Sequence, residues 1–391
     1  MNQQLLIAGG GIGGLAAALA AARAGWESSV FEQATAFGEV GAGLQIGPNA
    51  ARILREWDLL QGDFAQQVAR PRSLRIHDAL SGRELASMRL DDFERRYGAP
   101  YLTAHRADLH AALLDAAQAA GARLHPGAQV LSADNWEGQV HVDLEGGFSA
   151  EGDALIGADG LWSRVRRHVV GPAEPRFTGH VAYRGLALQA SLPEPARTND
   201  VCAWLGPRLH LVAYPVRAGE WLNVFCAVDG QAPGDAASWE HPGAQDDLLR
   251  AMGPASSAVR GIVEAIPQWR LWALHARRPL KSPAGMARGR IALLGDAAHP
   301  MLPYLAQGAG MALEDARALQ RELSAELLDG DVQGALRRYA QSRWARCARV
   351  QARSQRNAGI FHAGGFVRFG RNLSLRLFGE RLLDVPWLYA D

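Results

Sequence analysis

The sequence predicts an α/β fold: a parallel sheet covered by helices, an inserted antiparallel sheet and a C-terminal helical region. Three observations support this prediction. Near the N-terminus a short apolar segment, a glycine-rich turn, a helical pattern and a second apolar segment follow one another. From residue 180 onward, strand patterns are separated by turns rather than by helices. From residue 336 an amphipathic helical pattern continues toward the C-terminus.

Composition excludes several classes of function. The 391 residues with 48% hydrophobic content are enough for two domains, and the formal net charge of +1 creates no general attraction for nucleic acid or an anionic membrane. Cys202, Cys226 and Cys347 are far apart and form no metal-binding or CxxC spacing, which fits a reduced, cytoplasmic compartment. The apolar stretch from Leu5 to Ala22 lacks the basic start of a signal peptide, and no other apolar run is long enough to span a bilayer.

The N-terminal segment has the pattern of a dinucleotide-binding unit. Gln4–Ala8 is predicted to be a buried strand, and Gly9, Gly11 and Gly14 follow it in a GxGxxG turn that opens a helix. The next predicted strand ends at Glu32. In this order the glycines let the backbone approach a pyrophosphate, and the carboxylate can bind ribose hydroxyls.

Two later features add to this pattern. A second glycine-rich loop, Gly41–Asn49, surrounds Gln45 and suggests backbone lying against a flat ligand. Arg106 is predicted in the first turn of a helix, where a cation does not stabilise the helix dipole. It therefore has another partner, such as a phosphate, or is an ordinary solvated arginine.

Two more predicted strands end in acidic turns. One ends at Asp159-Gly160, and another, Ile291–Leu294, ends at Gly295-Asp296 before a helix that begins near Gly308. A strand end, an acidic residue and a helix N-terminus suit a ligand site in an α/β fold. Asp296 can accept hydrogen bonds from the hydroxyls of a sugar or polyol, or it simply caps a turn.

The inserted sheet supplies a candidate acid–base pair. His210 and Tyr214 lie on the same face of a predicted strand, with Cα atoms about 13 Å apart at about 3.3 Å per residue. A histidine titrates near neutral pH and can act as a general base, although one histidine in a sheet is more often structural.

Asp246–Ile266 is predicted to be helical. The predicted strands are Val181–Leu188, Val201–Leu205, Leu209–Pro215, Trp221–Val228 and Trp269–Leu274.

The glycine fingerprint with its acid, the Asp159-Gly160 turn and the Gly295-Asp296 turn occur together in one order. In the order of these three motifs the chain resembles the class A FAD-dependent aromatic hydroxylases of the p-hydroxybenzoate hydroxylase type. It looks most like 3-hydroxybenzoate 6-hydroxylase, followed by salicylate hydroxylase and 6-hydroxynicotinate 3-monooxygenase. The matching stretches are GAGLQIGPNA at Gly41–Ala50, HLVAYP at His210–Pro215 and GDAAHPMLPYLAQGAGMALEDA at Gly295–Ala316.

The resemblance implies a flavin-dependent monooxygenase of aromatic compound catabolism. Such an enzyme holds FAD noncovalently, uses NADH or NADPH as a transient co-substrate and hydroxylates with O2 through a flavin C4a-hydroperoxide. The implied substrate is a hydroxybenzoate-like aromatic carboxylate, with 3-hydroxybenzoate favoured. The alternatives are a decarboxylating hydroxylase of the salicylate or hydroxynicotinate type and another flavin oxidoreductase on the same scaffold.

The resemblance also implies roles for particular residues, and no metal site. His210 and Tyr214 would be catalytic, activating the substrate hydroxyl. The residues implied in substrate binding are Gln45, Pro300 and Tyr304. Gln45 and Tyr304 each stand where the hydroxynicotinate enzyme has a histidine. The residues implied in cofactor binding are Gly9, Gly11, Ile12, Gly14, Glu32, Gln33, Gly43, Arg106, Val130, Asp159, Asp296, Gly308, Ala309 and Gly310.

These patterns predict a discontinuous organisation. The FAD-binding domain is predicted over 1–72, 102–178 and 284–335, the antiparallel substrate domain over 73–101 and 179–283, and the helical region over 336–391. The expected partner is a small aromatic substrate, with neither nucleic acid nor membrane. The expected state is a monomer or homodimer. The exact substrate and the choice between NADH and NADPH are left open.

Overall fold

The computed structural model describes residues 3–38, 41–136 and 138–390. The strands are, in chain order, β1 (Gln4–Ala8), β2 (Glu27–Glu32), β3 (Gly43–Ile46), β4 (Ser73–Asp78), β5 (Glu84–Arg89), β6 (Leu102–His105), β7 (Arg123–Pro126), β8 (Val130–Trp136), β9 (Gln139–Leu144), β10 (Ser149–Gly152), β11 (Ala154–Gly157), β12 (Arg176–Leu188), β13 (Val201–Gly206), β14 (Leu209–Val216), β15 (Trp221–Asp229), β16 (His241–Gly243), β17 (Trp269–Ala276), β18 (Ala287–Arg288) and β19 (Ile291–Leu293). The helices are α1 (Ile12–Arg23), α2 (Pro48–Glu56), α3 (Gly62–Gln67), α4 (Phe93–Tyr97), α5 (Arg106–Ala119), α6 (Val165–Val170), α7 (Gln245–Met252), α8 (Ser257–Ala265), α9 (Gly308–Asp329), α10 (Val332–Phe361), α11 (Gly365–Phe378), α12 (Glu380–Leu383) and α13 (Pro386–Tyr389).

The chain forms two compact units, each built from three segments. Unit 1 comprises Met1–Glu39, Leu109–Arg176 and Ala276–Arg353, and unit 2 comprises Val40–Asp108, Phe177–His275 and Ser354–Asp391. These boundaries differ from those of the predicted domains. Residues 40–72 and 102–108 group with the inserted sheet, because β3 pairs with β6 and the Gly43 amide bonds to Asn223 of β15. Residues 336–353 group with unit 1.

Unit 1 is built on a six-stranded sheet in the order β18-β19-β11-β1-β2-β7. All its pairs are parallel except β18 with β19. The predicted strands that end near Gly9, Glu32, Asp159 and Asp296 are therefore confirmed, and the structure shows that they are neighbours in this sheet. Because the carboxyl ends of parallel strands share one edge, the turns that follow these four strands lie along the same edge of the sheet. A separate three-stranded antiparallel sheet has the order β10-β9-β8.

Unit 2 is built on an eight-stranded sheet in the order β16-β17-β12-β15-β14-β13-β4-β5. The neighbours β12 and β15, β15 and β14, β14 and β13, β16 and β17, and β4 and β5 pair antiparallel, as predicted for this sheet, and β4 pairs with β13 in parallel. Alternating side chains of β14 divide between its two faces. Leu209, Leu211 and Ala213 enter the hydrophobic cluster of this unit, and the intervening His210, Val212 and Tyr214 point to the opposite face.

Two predicted helices differ in detail from the structure. The single helix predicted over Asp246–Ile266 is wrong, because Gly253 adopts a φ of 64° and separates α7 from α8. The predicted amphipathic helix from residue 336 is confirmed but is longer, since α10 runs from Val332 to Phe361. Its apolar stripe is buried, including Leu336, Tyr339 and Val350. Among the residues that the structure describes, no helix is long and apolar enough to cross a lipid bilayer.

A buried ion-pair network joins α9 to α10 within unit 1. The Asp315 carboxylate is 0% exposed and accepts hydrogen bonds from Arg343 Nε at 2.7 Å and His299 Nε2 at 2.6 Å. It also accepts the Gly295 amide at 3.0 Å, which fixes the turn after β19. Burial alone would raise the pKa of Asp315, but His299 and Arg343 hold that pKa well below its usual range. The network therefore stays charged at neutral pH.

Arg343→Met tests how strongly this network stabilises unit 1. Removing one partner of a buried ion pair leaves an uncompensated charge, which costs about 3–5 kcal/mol. We expect the free energy of unfolding in urea to fall by roughly that amount. Arg167→Met, at the exposed Arg167–Glu174 pair, is the matched control and should change little. Equal, small losses in both variants would contradict the stabilising role.

Candidate active site

The glycine turn after β1 and the end of β2 form the first part of the site, in unit 1. Glu32 Oε2 accepts the Gly10 amide at 2.6 Å, and Oε1 accepts the Ala34 amide at 2.8 Å. Each carboxylate oxygen therefore has one backbone donor and retains a lone pair for another. Two backbone hydrogen bonds fix the carboxylate at the strand end, as a ribose-binding acid requires.

The structure shows why the fingerprint positions need glycine. A Cβ at Gly14 would lie 1.8 Å from the Gly9 carbonyl oxygen, so any other residue would push α1 away from the turn. Gly9 has a φ of 102°, and a Cβ there would meet the Ala158 carbonyl oxygen at 2.4 Å. At both positions the atom that a Cβ would meet belongs to the protein backbone. The glycines thus make the turn tight and bring the N-terminus of α1 close to β11.

The start of α1 has the chemistry of an anion site. Its N-cap, Gly11, offers no side-chain hydrogen bond, and the first turn of this helix contains no acidic residue. The positive end of the helix is therefore not neutralised by a side chain of that turn. Gln33 and Val130 lie near the end of β2, where Gln33 Oε1 accepts Gln129 Nε2 at 2.8 Å and Val130 begins β8.

Asp159, after β11, caps the next helix. Its Oδ1 accepts the Ser163 hydroxyl at 2.5 Å, and its Oδ2 accepts the amides of Arg164 at 2.7 Å and Val165 at 3.2 Å. The structure thus gives this carboxylate a structural role at the start of α6. The cofactor and nicotinamide roles that the resemblance implies for Asp159 stay a prediction.

Asp296 lies in a short 3₁₀ turn, Gly295–Ala297, directly after β19. Arg166 Nη1 braces this turn, donating to the carbonyl oxygens of Ala297 at 2.6 Å and Ala298 at 2.7 Å. The Gly295 end is held by Asp315, as described above. The half-buried carboxylate of Asp296 is thus presented from a turn whose backbone is fixed at both ends.

The remaining unit 1 candidates follow the same turn. Pro300 and Tyr304 are buried, and the Pro300 carbonyl accepts Gln351 Nε2 at 3.1 Å. The helix α9 begins at Gly308, and the sequence of its first turn contains no acidic residue. Gly308, Ala309 and Gly310 therefore place backbone amides at the positive end of a long helix.

In unit 2, the second glycine loop packs against the face of β14 that carries Tyr214. Gly43 donates its amide to Asn223 Oδ1 at 2.7 Å, and a Cβ at Gly43 would lie 2.6 Å from the Tyr214 ring. Gln45 forms a hydrogen bond with Tyr214, and its Oε1 accepts the Tyr101 hydroxyl at 2.7 Å. The space beside Gly43 is therefore filled by protein side chains, which makes this loop and β14 one polar cluster.

His210 occupies the other end of the same face. It is 1% exposed, and its ring lies against Phe225 of β15 and Phe361 of α10 at centroid distances of 5.4 and 5.6 Å. Its Nδ1 lies 3.0 Å from His362 Nε2. Burial, reinforced by the neighbouring His362 and His180, holds the pKa of His210 well below its usual value. At neutral pH the ring is therefore neutral and can accept a proton.

The structure brings some predicted residues together and adds others. Gln45, Gly43 and Tyr214 form one cluster, whereas Arg106 begins α5, with its amide bound to the Ala42 carbonyl at 2.7 Å. His299 carries a raised pKa: although burial lowers it, Cys347 and Asp315 outweigh that effect, so His299 is not an available base.

Sequence reasoning missed several residues of the unit 2 cluster. Asn223 lies directly opposite Tyr214 in the sheet, and one polar residue within an apolar strand was a signal that could have found it. His362 follows the end of the predicted helix and had no local signal. Tyr101 was predicted only as the last residue of segment 73–101 of the substrate domain.

The donor set of unit 1 fits FAD. A fixed carboxylate at the end of β2 suits the ribose, and the α1 N-terminus suits the pyrophosphate. Asp296 supplies an acceptor suited to the hydroxyls of the ribityl chain. The backbone amides at the start of α9 suit the electron-rich edge of a flavin ring.

Comparison with known proteins identifies the family. The family model described as FAD binding domain matches residues 2–354. The chain is 38% identical to 3-hydroxybenzoate 6-hydroxylase 1 of Aquipseudomonas alcaligenes, over 100% of this chain and 98% of that protein. It is also 38% identical to a 3-amino-4-hydroxybenzoate 2-monooxygenase of Streptomyces platensis, over 99% of this chain and 96% of that protein.

A solved structure agrees with these relatives. Klebsiella pneumoniae HpxO complexed with FAD and uric acid superposes with a TM-score of 0.84 and is 26% identical, over 97% of this chain and 94% of that one. The fold and family predicted from the three motifs are thus confirmed. The chain belongs to the family of FAD-dependent aromatic hydroxylases, and it is a flavin-dependent monooxygenase.

Proposed function

We propose that the protein hydroxylates a small hydroxylated aromatic carboxylate, with 3-hydroxybenzoate as the favoured substrate, using O2 and NADH. The single observation that carries this proposal is the pair His210 and Tyr214 on one face of β14, in a chain 38% identical to 3-hydroxybenzoate 6-hydroxylase 1. The preference for NADH over NADPH comes from the family resemblance. The sequence after Gly160 contains no second GxGxxG unit, which favours transient docking of the nicotinamide.

The cofactor is held by the residues of unit 1. FAD, when bound, supplies a hydride acceptor for NAD(P)H and the activation of O2. Glu32 would bind the adenosine ribose and Asp296 the ribityl hydroxyls. The amides of Gly308 and Ala309 would stabilise negative charge on the flavin ring through the helix dipole of α9.

The substrate hydroxyl is activated by the residues of unit 2. His210 would take the phenolic proton, because a phenolate ring donates electrons to an oxidant far better than a phenol does. In 3-hydroxybenzoate the carbon para to the hydroxyl is C6, which explains the favoured position of attack. Burial raises the pKa of Tyr214, so its hydroxyl stays protonated and can donate a hydrogen bond to the substrate oxygen. Gln45 holds that hydroxyl in place, and Pro300 and Tyr304 remain predicted substrate contacts.

Three alternatives concern the substrate and the reaction. The Streptomyces platensis relative makes 3-amino-4-hydroxybenzoate a second candidate. A decarboxylating hydroxylase of the salicylate or hydroxynicotinate type would attack the carbon that carries the carboxylate and release CO2. Another flavin oxidoreductase on the same scaffold would consume NADH without hydroxylating any member of this group.

The remaining expectations concern the setting of the enzyme. We infer a cytoplasmic protein that binds neither nucleic acid nor membrane, supported by the balanced charge and by the unpaired buried thiols of Cys202, Cys226 and Cys347. A monomer or homodimer stays the expected oligomeric state.

Asp296→Ala tests the cofactor assignment. We expect the purified wild type to be yellow and the variant to retain much less FAD, because the ribityl hydroxyls lose their acceptor. The far-ultraviolet circular dichroism should be unchanged. Asp115→Ala, at an exposed aspartate of α5 in the same unit, is the matched control and should keep its FAD. Wild-type FAD content in the Asp296 variant would contradict the ribityl role.

A substrate panel tests the proposed reaction. The FAD-loaded protein is mixed with NADH, O2 and 3-hydroxybenzoate, 3-amino-4-hydroxybenzoate, salicylate or 6-hydroxynicotinate, and the product, NADH and CO2 are quantified. We expect 2,5-dihydroxybenzoate from 3-hydroxybenzoate, close to one product per NADH and without CO2. Tight coupling with another member of the panel instead would replace the favoured substrate. NADH oxidation that yields only hydrogen peroxide with every member would contradict a hydroxylase of this class.

The pH dependence of that reaction has a defined sign. A neutral His210 accepts the proton, so hydroxylation should be lost as the pH falls through the pKa of this histidine. From sequence alone this loss is expected near neutral pH. Because burial lowers the pKa of His210, the structure moves the expected loss to below pH 6.5.

A further inference from the structure

A second histidine lies directly behind His210 in unit 2. His362, just after the end of α10, places its Nε2 3.0 Å from His210 Nδ1. A hydrogen bond between two imidazoles requires one ring to donate and the other to accept. If His210 Nδ1–H donates, its Nε2 is the atom with a lone pair for a substrate proton. In that arrangement His210 can act as a base.

The second histidine leads to a partly exposed carboxylate. His362 Nδ1 lies 3.5 Å from Oδ1 of Asp229, at the end of β15, and the Asp229 side chain is 34% exposed. The same oxygen lies 3.6 Å from His180 Nε2 on β12, the residue paired with Asp229 across the sheet. Three ionisable groups, His210, His362 and Asp229, therefore form a line from a buried ring to water.

The backbone holds this line in place. Arg208 in the turn before β14 donates its amide to the His362 carbonyl at 3.0 Å. The Asp229 amide donates in turn to the Arg208 carbonyl at 3.2 Å, and Arg208 Nε donates to Asp229 Oδ2 at 2.8 Å. The ring of His180 stacks on that of His362 at a centroid distance of 4.3 Å. These contacts come from four different elements, so the alignment does not depend on one side chain.

A buried base needs such a line for a physical reason. A proton accepted by His210 would leave an imidazolium in a fully buried, largely apolar site, which is costly. The charged and titratable groups facing the pair are His180, Asp229, Arg208 and Arg371. Burial, together with His180, lowers the pKa of His362 to about 4, so this ring is also neutral and able to accept a proton at neutral pH.

We propose that His362 is a positioning residue that relays the proton between His210 and Asp229, so that the buried base exchanges its proton with solvent. This inference rests on the proposed function, because it assumes that His210 is the base. It assigns a role to a residue outside the β14 strand and outside the predicted site.

The proton balance is simple. The substrate hydroxyl loses its proton to His210 Nε2 while His210 Nδ1–H passes its own to His362 Nε2. His362 Nδ1–H then passes its proton to Asp229 and on to water. After oxygen transfer, the ring carbon loses its hydrogen as a proton, which offsets the proton taken up when the second oxygen atom of O2 leaves as water. The substrate oxygen regains a proton when aromaticity is restored. The same path run inward returns that proton, and both histidines recover their starting tautomers.

The test compares His362→Gln with the wild type in single-turnover hydroxylation of 3-hydroxybenzoate by the FAD-loaded protein. Glutamine keeps a hydrogen-bonding group but cannot relay a proton. We expect the rate to fall about 10- to 100-fold, a part of the about 10²- to 10⁴-fold that a general base contributes. FAD content and the Kd for 3-hydroxybenzoate should not change. His77→Gln, on β4 of the same sheet, is the matched control and should keep the wild-type rate.

Chemical rescue separates a relay from a merely structural role. We expect His362→Ala to be slow and to regain rate on addition of imidazole, with a gain that follows the concentration of neutral imidazole as the pH is changed. Asp229→Asn, a second variant, should be slowed as well, because an amide cannot take the proton. Wild-type rate in His362→Gln, or slow variants that imidazole does not restore, would overturn the relay.

His210→Ala distinguishes the two proposals. If this variant keeps wild-type turnover and coupling, the base assignment in the proposed function fails. If His210→Ala is slow and poorly coupled while His362→Gln and Asp229→Asn behave as wild type, the base assignment stands and the relay alone is wrong.

Discussion

The carboxylate of Asp315 fixes the part of unit 1 on which the proposed binding of the cofactor depends. It lies in the core, where a lone charge is not tolerated, and Arg343 and His299 compensate it. Its remaining contact, with the Gly295 amide, sets the backbone of the turn that presents Asp296. A charge placed on α9 thus determines where the acidic turn after β19 can be, and the parallel sheet aligns this turn with those after β1 and β2.

In unit 2, burial keeps ionisable side chains neutral, whereas the buried side chains around Asp315 in unit 1 stay charged. Around Asp315 the buried charges are paired and remain charged, whereas burial keeps His210 and Tyr214 neutral. A neutral imidazole can accept a proton and a neutral phenol can donate a hydrogen bond. The two groups therefore have the complementary protonation states that activation of a substrate hydroxyl needs. A protonated His210 is unfavourable in this buried site, so the proposed function needs a route by which the proton can leave. The contact with His362 is the first step of the proposed route.

Local patterns in the sequence predicted most of the fold and those candidate site residues that lie beside a turn or alternate along a strand. The strand ends at Glu32, Asp159 and Asp296 carry turn and acid signals within a few residues, so they were found directly. Alternation along β14 placed His210 and Tyr214 on one face, as the structure shows. Contacts between distant segments have no such signal. His362 reaches His210 from 152 positions along the chain, and the loop at Gly43 joins the inserted sheet through Asn223, 180 positions away.

The central claim, that His210 takes the phenolic proton, can be tested without turnover. The absorbance of bound 3-hydroxybenzoate is titrated against pH in the FAD-loaded protein, with NADH left out, so that the phenol-to-phenolate transition is read directly. We expect His210→Ala to move this transition to higher pH than in the wild type, because the phenolate loses its proton acceptor. A transition at the same pH in both proteins would contradict the claim.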